Sequence, residues 1–132
     1  MKIVIVLDET LAAGVMANTA AALAMSCSTK IPGLIGRDVR DADMNTHPGL
    51  LTRPVTVLSA EGKKLQQIKE SAVQADLEVI GFTDVARRSK SYDAYIESMS
   101  TTGSDELEYL GLCVFGDRKK VTGITGALPL VK

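Results

Sequence analysis

The residue type whose unperturbed pKa lies nearest neutrality occurs once in this sequence. That residue is His47, the only histidine. Asp38, Asp41 and Asp43 precede it and Pro48 and Gly49 follow it. A histidine held by a carboxylate is a general acid/base pair. His47 could form such a pair beside Asp38, Asp41 or Asp43, and as the base of a hydrolase it would take Asp8 or Asp84 as partner. The competing reading is an ordinary X-Pro turn. A second group surrounds Gly14: Asp8, Asn18 and Thr19 would line a pocket at the loop after the first strand, with Asp84 and Arg87 nearby to hold a small ligand.

Other chemistries lack their residues. A strand, a glycine loop and a helix start can cradle phosphate. Here the three-glycine dinucleotide pattern and the Gly-Lys-Ser/Thr of a P-loop are both missing, so no cofactor is expected. Asp41, Asp43 and Asn45 open like a calcium loop, but Thr46 stands where glycine is required and Thr52 where the bidentate glutamate belongs. No metal site is expected. Cys27 and Cys113 fit no metal or redox spacing and read as reduced, buried small hydrophobes. Basic residues cluster at 87–90 and 118–120, yet the net charge is −1, which argues against a nucleic-acid partner.

The elements that must position these residues follow from hydrophobic pattern. Residues 2–7 are apolar without alternation, as in a strand covered on both faces. Residues 15–27 are rich in alanine and apolar on nearly every side, so they predict a buried helix, packed between layers or against its twin in a homodimer. Residues 30–53 carry no strong period, although Val39 suits a short edge strand. Strands are expected at 54–59, 77–82 and 107–115, with a last short one at 128–131. A helix over 60–75 capped by Ser59 would present Leu65, Ile68, Ala72 and Val73 on one face. A helix beyond Ser91 would present Tyr92, Tyr95, Ile96 and Met99, and a short one follows Asp117. Strands alternating with helices give an α/β fold with a mixed sheet of four or five strands. The length, 132 residues, suits one domain over 1–132. No run approaches the ~20 apolar residues of a membrane helix, and no leader is visible, so a cytoplasmic protein with no membrane partner is expected.

The order of these elements resembles the type II peptidyl-tRNA hydrolase fold. Lys2–Leu7 looks like that family's first strand, and the run from Leu11 through Gly14 to Ala22 looks like its glycine loop and alanine-rich helix. Asp84 to Arg88 looks like its Asp-Ala-Gly-Arg-Thr segment, and Val121-Thr122-Gly123 with Leu128 to Leu130 like its close. The resemblance implies a three-layer α/β/α architecture. A closer likeness is to an uncharacterised bacterial family sharing that fold, carried by His47-Pro48-Gly49, by Pro54 to Leu58, by Tyr109 to Leu112 and by Leu128 to Leu130. It implies no activity. The hydrolases have lysine after the loop glycine where this chain has Val15, and polar helix residues where it has Thr19 to Ala22. Only Asp84 and Arg87 remain. A missing lysine removes a cation aimed at developing negative charge, an interaction worth several kcal/mol in comparable sites. The expectation is a small-ligand binding or regulatory module with a largely apolar cleft edged by Asp8, Asn18 and Thr19. A hydrolase with a rebuilt site is the alternative.

Overall fold

The computed structural model describes residues 1–132. Its centre is a four-stranded mixed sheet of β1 (Lys2–Asp8), β4 (Val55–Ala60), β5 (Glu78–Thr83) and β6 (Tyr109–Gly116), in the order β4-β1-β6-β5. β1 pairs parallel with β4 and antiparallel with β6, and β6 pairs antiparallel with β5. Thus β1, β4 and β5 run one way and β6 alone runs back between them. Five helices accompany the sheet: α1 (Ala13–Ser28), α2 (Leu65–Gln74), α3 (Asp84–Arg88), α4 (Tyr92–Ser100) and α5 (Arg118–Thr125). None is long and apolar enough to cross a membrane.

The unbroken apolar run of β1 divides by residue parity. Val4 and Val6 join Leu58, Leu65, Leu112 and Val121 in one buried cluster, against α2 and α5. Ile3, Ile5 and Leu7 join Leu23, Cys27 and Phe115 in another, against α1. Successive side chains of a strand point to opposite faces, so a strand covered on both sides must be apolar throughout.

Several boundaries differ from expectation. Ser59 caps no helix. β4 keeps pairing with β1 through Asp8 and Ala60, and the Ser59 N–H donates to the Pro129 carbonyl at 2.9 Å. A 3-10 turn, Gly62–Lys64, separates the strand from α2, and Val73 is exposed on α2 instead of packed. Residues 128–131 form only a bridge, Leu58 with Leu130, although the Val131 N–H also reaches the Val57 carbonyl. They close the outer edge of β4 without becoming a full strand. Helix α1 is less buried than its composition suggests. Thr19, Leu23 and Cys27, four residues apart, face the sheet, while Met25 is 75% exposed.

The unpatterned stretch 30–53 is an arm folded on itself. β2 (Val39–Arg40) pairs antiparallel with β3 (Thr46–His47), and Ile35 bridges Leu51. Its tip turns at Met44, with φ at 69°. The backbones touch so closely at Gly36 that a Cβ on Gly49 would overlap the Gly36 carbonyl oxygen.

Candidate functional site

Parallel strands end together. β1 ends at Asp8, β4 leads into Gly62, and β5 leads into Asp84, all at one end of the sheet, where antiparallel β6 begins at Tyr109. Crevices outside the carboxyl ends of such strands are where open α/β sheets place ligands. A cleft of about 1070 Å³ lies here, with Asp8, Gly62, Asp84, Arg87, Glu108 and Tyr109 among its walls.

Asp8 is locally pinned. Its Oδ1 accepts hydrogen bonds from the Thr10 backbone N–H at 2.9 Å and the Thr10 hydroxyl at 2.8 Å. That Asx turn breaks the strand. Its other oxygen lies over Gly62, where any Cβ would stand 2.5 Å from Oδ2. Glycine at 62 therefore leaves room for the carboxylate at the mouth of the cleft. No cation pairs with Asp8.

Asp84 is more heavily engaged. As first residue of α3 it follows Thr83, whose hydroxyl accepts from the Ala86 N–H and caps the helix. Asp84 Oδ1 accepts from the Glu108 N–H at 3.2 Å and Oδ2 from Arg88 at 2.9 Å, while the Asp84 N–H donates to the Glu108 carbonyl. Partial burial pushes its carboxyl upward. The Glu108 and Val85 N–H groups and the Arg88 guanidinium outweigh that and hold it below the ordinary carboxylate value. Arg88 is thereby neutralised, and Lys63 leans on Glu61 at 3.6 Å. Arg87 makes no ion pair and lines the cleft with its charge uncommitted.

Most residues on the cleft walls are charged or polar, although apolar atoms still make up the larger share of its surface, as the expected largely apolar cleft requires. Only Leu11, Leu107, Tyr109 and Leu110 are apolar on its walls. Asp8, Glu70, Asp84, Asp105 and Glu108 supply negative charge against Lys63, Arg87 and Arg88. No three of the chain's His, Cys, Asp and Glu side chains cluster to hold a metal ion.

Of the sequence-derived site residues, Asp8, Asp84 and Arg87 converge on the cleft and three do not. Thr19 is fully buried under α1, its hydroxyl without a partner. Asn18, one residue earlier on the helix, is exposed. Neither lines the cleft, because α1 starts beyond the loop and turns its 19–23–27 face onto the sheet. His47 sits on the exposed arm, its Nε2 2.8 Å from Asp41 Oδ2, away from Asp8 and Asp84. Asp41 Oδ1 also accepts the N–H groups of Asp43 and Asn45. The hydrogen bond to His47, followed by those backbone bonds, holds the Asp41 carboxyl below its usual range. The pair fastens the tip of the arm. The Gly49 N–H is taken by Asp38 at 3.0 Å, so the acidic residues around His47-Pro48-Gly49 act on the arm's own backbone.

Sequence reasoning missed Gly62, Gln66, Glu70, Glu108 and Tyr109. Gln66 and Glu70 share the polar face of α2, at an i, i+4 spacing that reads equally well as a solvated surface. Glycine just after a predicted strand was the available signal for position 62.

The model of a family described as a protein of unknown function, DUF2000, matches residues 1–132. No curated protein matches the sequence. Among solved structures, that of a protein of unknown function from Agrobacterium tumefaciens is similar over 98% of this chain and 96% of that one. Its TM-score is 0.88 at 23% sequence identity, a likeness of fold alone.

Proposed function

The chain belongs to the DUF2000 family of unknown function, and we propose that it is a small-ligand binding or regulatory module whose site is the cleft at the carboxyl ends of β1, β4 and β5. The observation that carries this reading is the convergence there of a cation-free carboxylate, Asp8 at the end of β1, and an uncommitted guanidinium, Arg87 on the α3 helix that follows β5. The first accepts from a cationic or hydrogen-bond-donating group, and the second takes an anionic one. The ligand is a small polar molecule carrying both.

The finer fold reading belongs with this proposal: a three-layer arrangement like that of type II peptidyl-tRNA hydrolases. α1 over one face and α2 with α5 over the other support it. Val15 after the loop glycine, a buried Thr19 and an ionised Asp84 tied to Arg88 favour holding a ligand over cutting one. The pairing of His47 with Asp41 on the exposed arm, off the walls of the cleft, counts against the rebuilt-hydrolase alternative.

The test is amide chemical-shift mapping with a panel of zwitterionic metabolites, amino acids and dipeptides first. Shifts at Asp8, Gly62 and Arg87, abolished in Asp8→Asn and Arg87→Ala but kept in His47→Ala, are expected. Binding indifferent to both cleft variants removes the proposal. So does release of peptide from a peptidyl-tRNA analogue that is lost in Asp84→Ala.

A further inference from the structure

The two edges of the sheet are treated differently. β4 is closed by the chain itself, through the bonds of Pro129 and Val131. β5, at the other edge, pairs only with β6. In an antiparallel pair every second residue turns its N–H and C=O away from its partner, and at β5 no other segment takes them. Natural edges are guarded by proline, inward charge or a covering element. β5 has no proline, and its single charge is Glu78, the first residue.

Beside this edge lies an unpartnered helix face. Tyr92, Tyr95, Ile96 and Met99 recur at the spacing of a buried stripe, yet no residue of α4 is buried. Tyr92 is 74% exposed and Ile96 54%. A groove of about 410 Å³ runs between α4, β5 and α1, floored by Ile80, Phe82, Leu23 and Tyr95. Exposed Met25 of α1 adds to the apolar surface on this side of the sheet.

Charge selects the occupant. Lys90 is the only charged residue on the groove walls, just past the short helix that follows β5, and it makes no ion pair. Glu78, at the opposite end of the same strand, makes none either. Two copies of β5 related by a two-fold axis run antiparallel, so the start of each meets the end of the other. Glu78 of each copy then approaches Lys90 of its partner, twice, while the exposed apolar residues of α4 gain cover on both sides. A parallel addition would instead set Glu78 beside its own counterpart. We propose that a second copy of this chain docks antiparallel on the free edge of β5, joining two sheets into one across a two-fold axis, with Tyr92 and Ile96 buried at the flanks.

The test is the solution mass of the full chain over a dilution series, read by light scattering and sedimentation. A mass twice the 14.0 kDa of one chain is expected at high concentration. The variant Tyr92→Glu/Ile96→Glu changes only exposed positions, so circular dichroism should match the parent while the mass falls to one chain. Glu78→Lys should raise the dimer dissociation constant about tenfold or more, as breaking an interfacial charge pair does. Glu78→Lys/Lys90→Glu should restore it. Outward-facing β5 amides should be protected from hydrogen exchange only at dimeric concentrations. A one-chain mass throughout, or a dimer insensitive to all of these variants, overturns the proposal. The second result would assign the contact to the outer face of α1 or to the arm.

Discussion

Thr19 of α1 and Gly111 of β6 meet across the helix–sheet interface. A Cβ on Gly111 would lie 2.9 Å from Thr19 Cγ2, 3.0 Å from Leu7 Cδ2 and 3.1 Å from Leu23 Cδ1. The helix lies this close because position 111 has no side chain. Gly111→Ala forces α1 outward and is expected to lower stability by roughly 1–3 kcal/mol, the usual cost of overpacking. Urea unfolding measures it, and an unchanged midpoint would contradict the contact.

The Thr19 hydroxyl is buried without a partner, a state that costs about 1–3 kcal/mol in typical interiors. Thr19→Val keeps the shape and removes the orphan. The expected result is stability equal to or about 1 kcal/mol above the parent, with ligand shifts at the cleft unaltered. Loss of binding in this variant would return Thr19 to the site.

Asp84 gives a pH dependence of definite sign. Its folded carboxyl titrates below the ordinary value despite its burial. Its stabilisation is therefore complete above about pH 4, the unfolded value, and disappears as pH falls through the lower folded one. The gap in thermal midpoint between the parent and Asp84→Asn should hold steady from neutrality to about pH 5 and shrink below about pH 4. A gap that widens on acidification would reverse the assignment.

Both thiols are buried and free. Burial raises Cys27, with a hydrogen bond to Cys113 partly opposing it, and burial raises Cys113 strongly. Thiolate is the reacting species. At mildly alkaline pH the native protein should resist iodoacetamide, and both cysteines should label in urea. Rapid labelling of either in the native state would show that α1 opens from the sheet.

Much of the fold was legible because strands covered on both faces and helices with caps leave local signatures. Lys2–Leu7, Ser91 and Asp117 stand within a residue of their expected roles. The central place of β6 was not legible, since strand order depends on pairing between residues far apart in sequence. Half of the candidate site failed for a related reason. Asn18 and Thr19 are adjacent in sequence, but the hundred degrees or so between neighbours on a helix sends one to water and the other into the core. His47 looked chemical because its residue type is versatile. Its aspartate partner sits six residues away on the same arm, where the pair secures a turn. The apolar stripe on α4 was legible from its spacing, but that no residue of the helix is buried was not, because burial depends on which distant elements fold against it.

β6 lies between β1 and β5 yet comes last of the sheet strands in the chain. During synthesis β1 and β5 emerge first with no strand between them, each with an open side, and the apolar faces of both wait for residues 109–116. Pairing across such separations makes folding slow. A ribosome-bound chain halted before Tyr109 should therefore stay protease-sensitive and recruit chaperones, and protection should arrive in one step once Gly116 clears the exit tunnel.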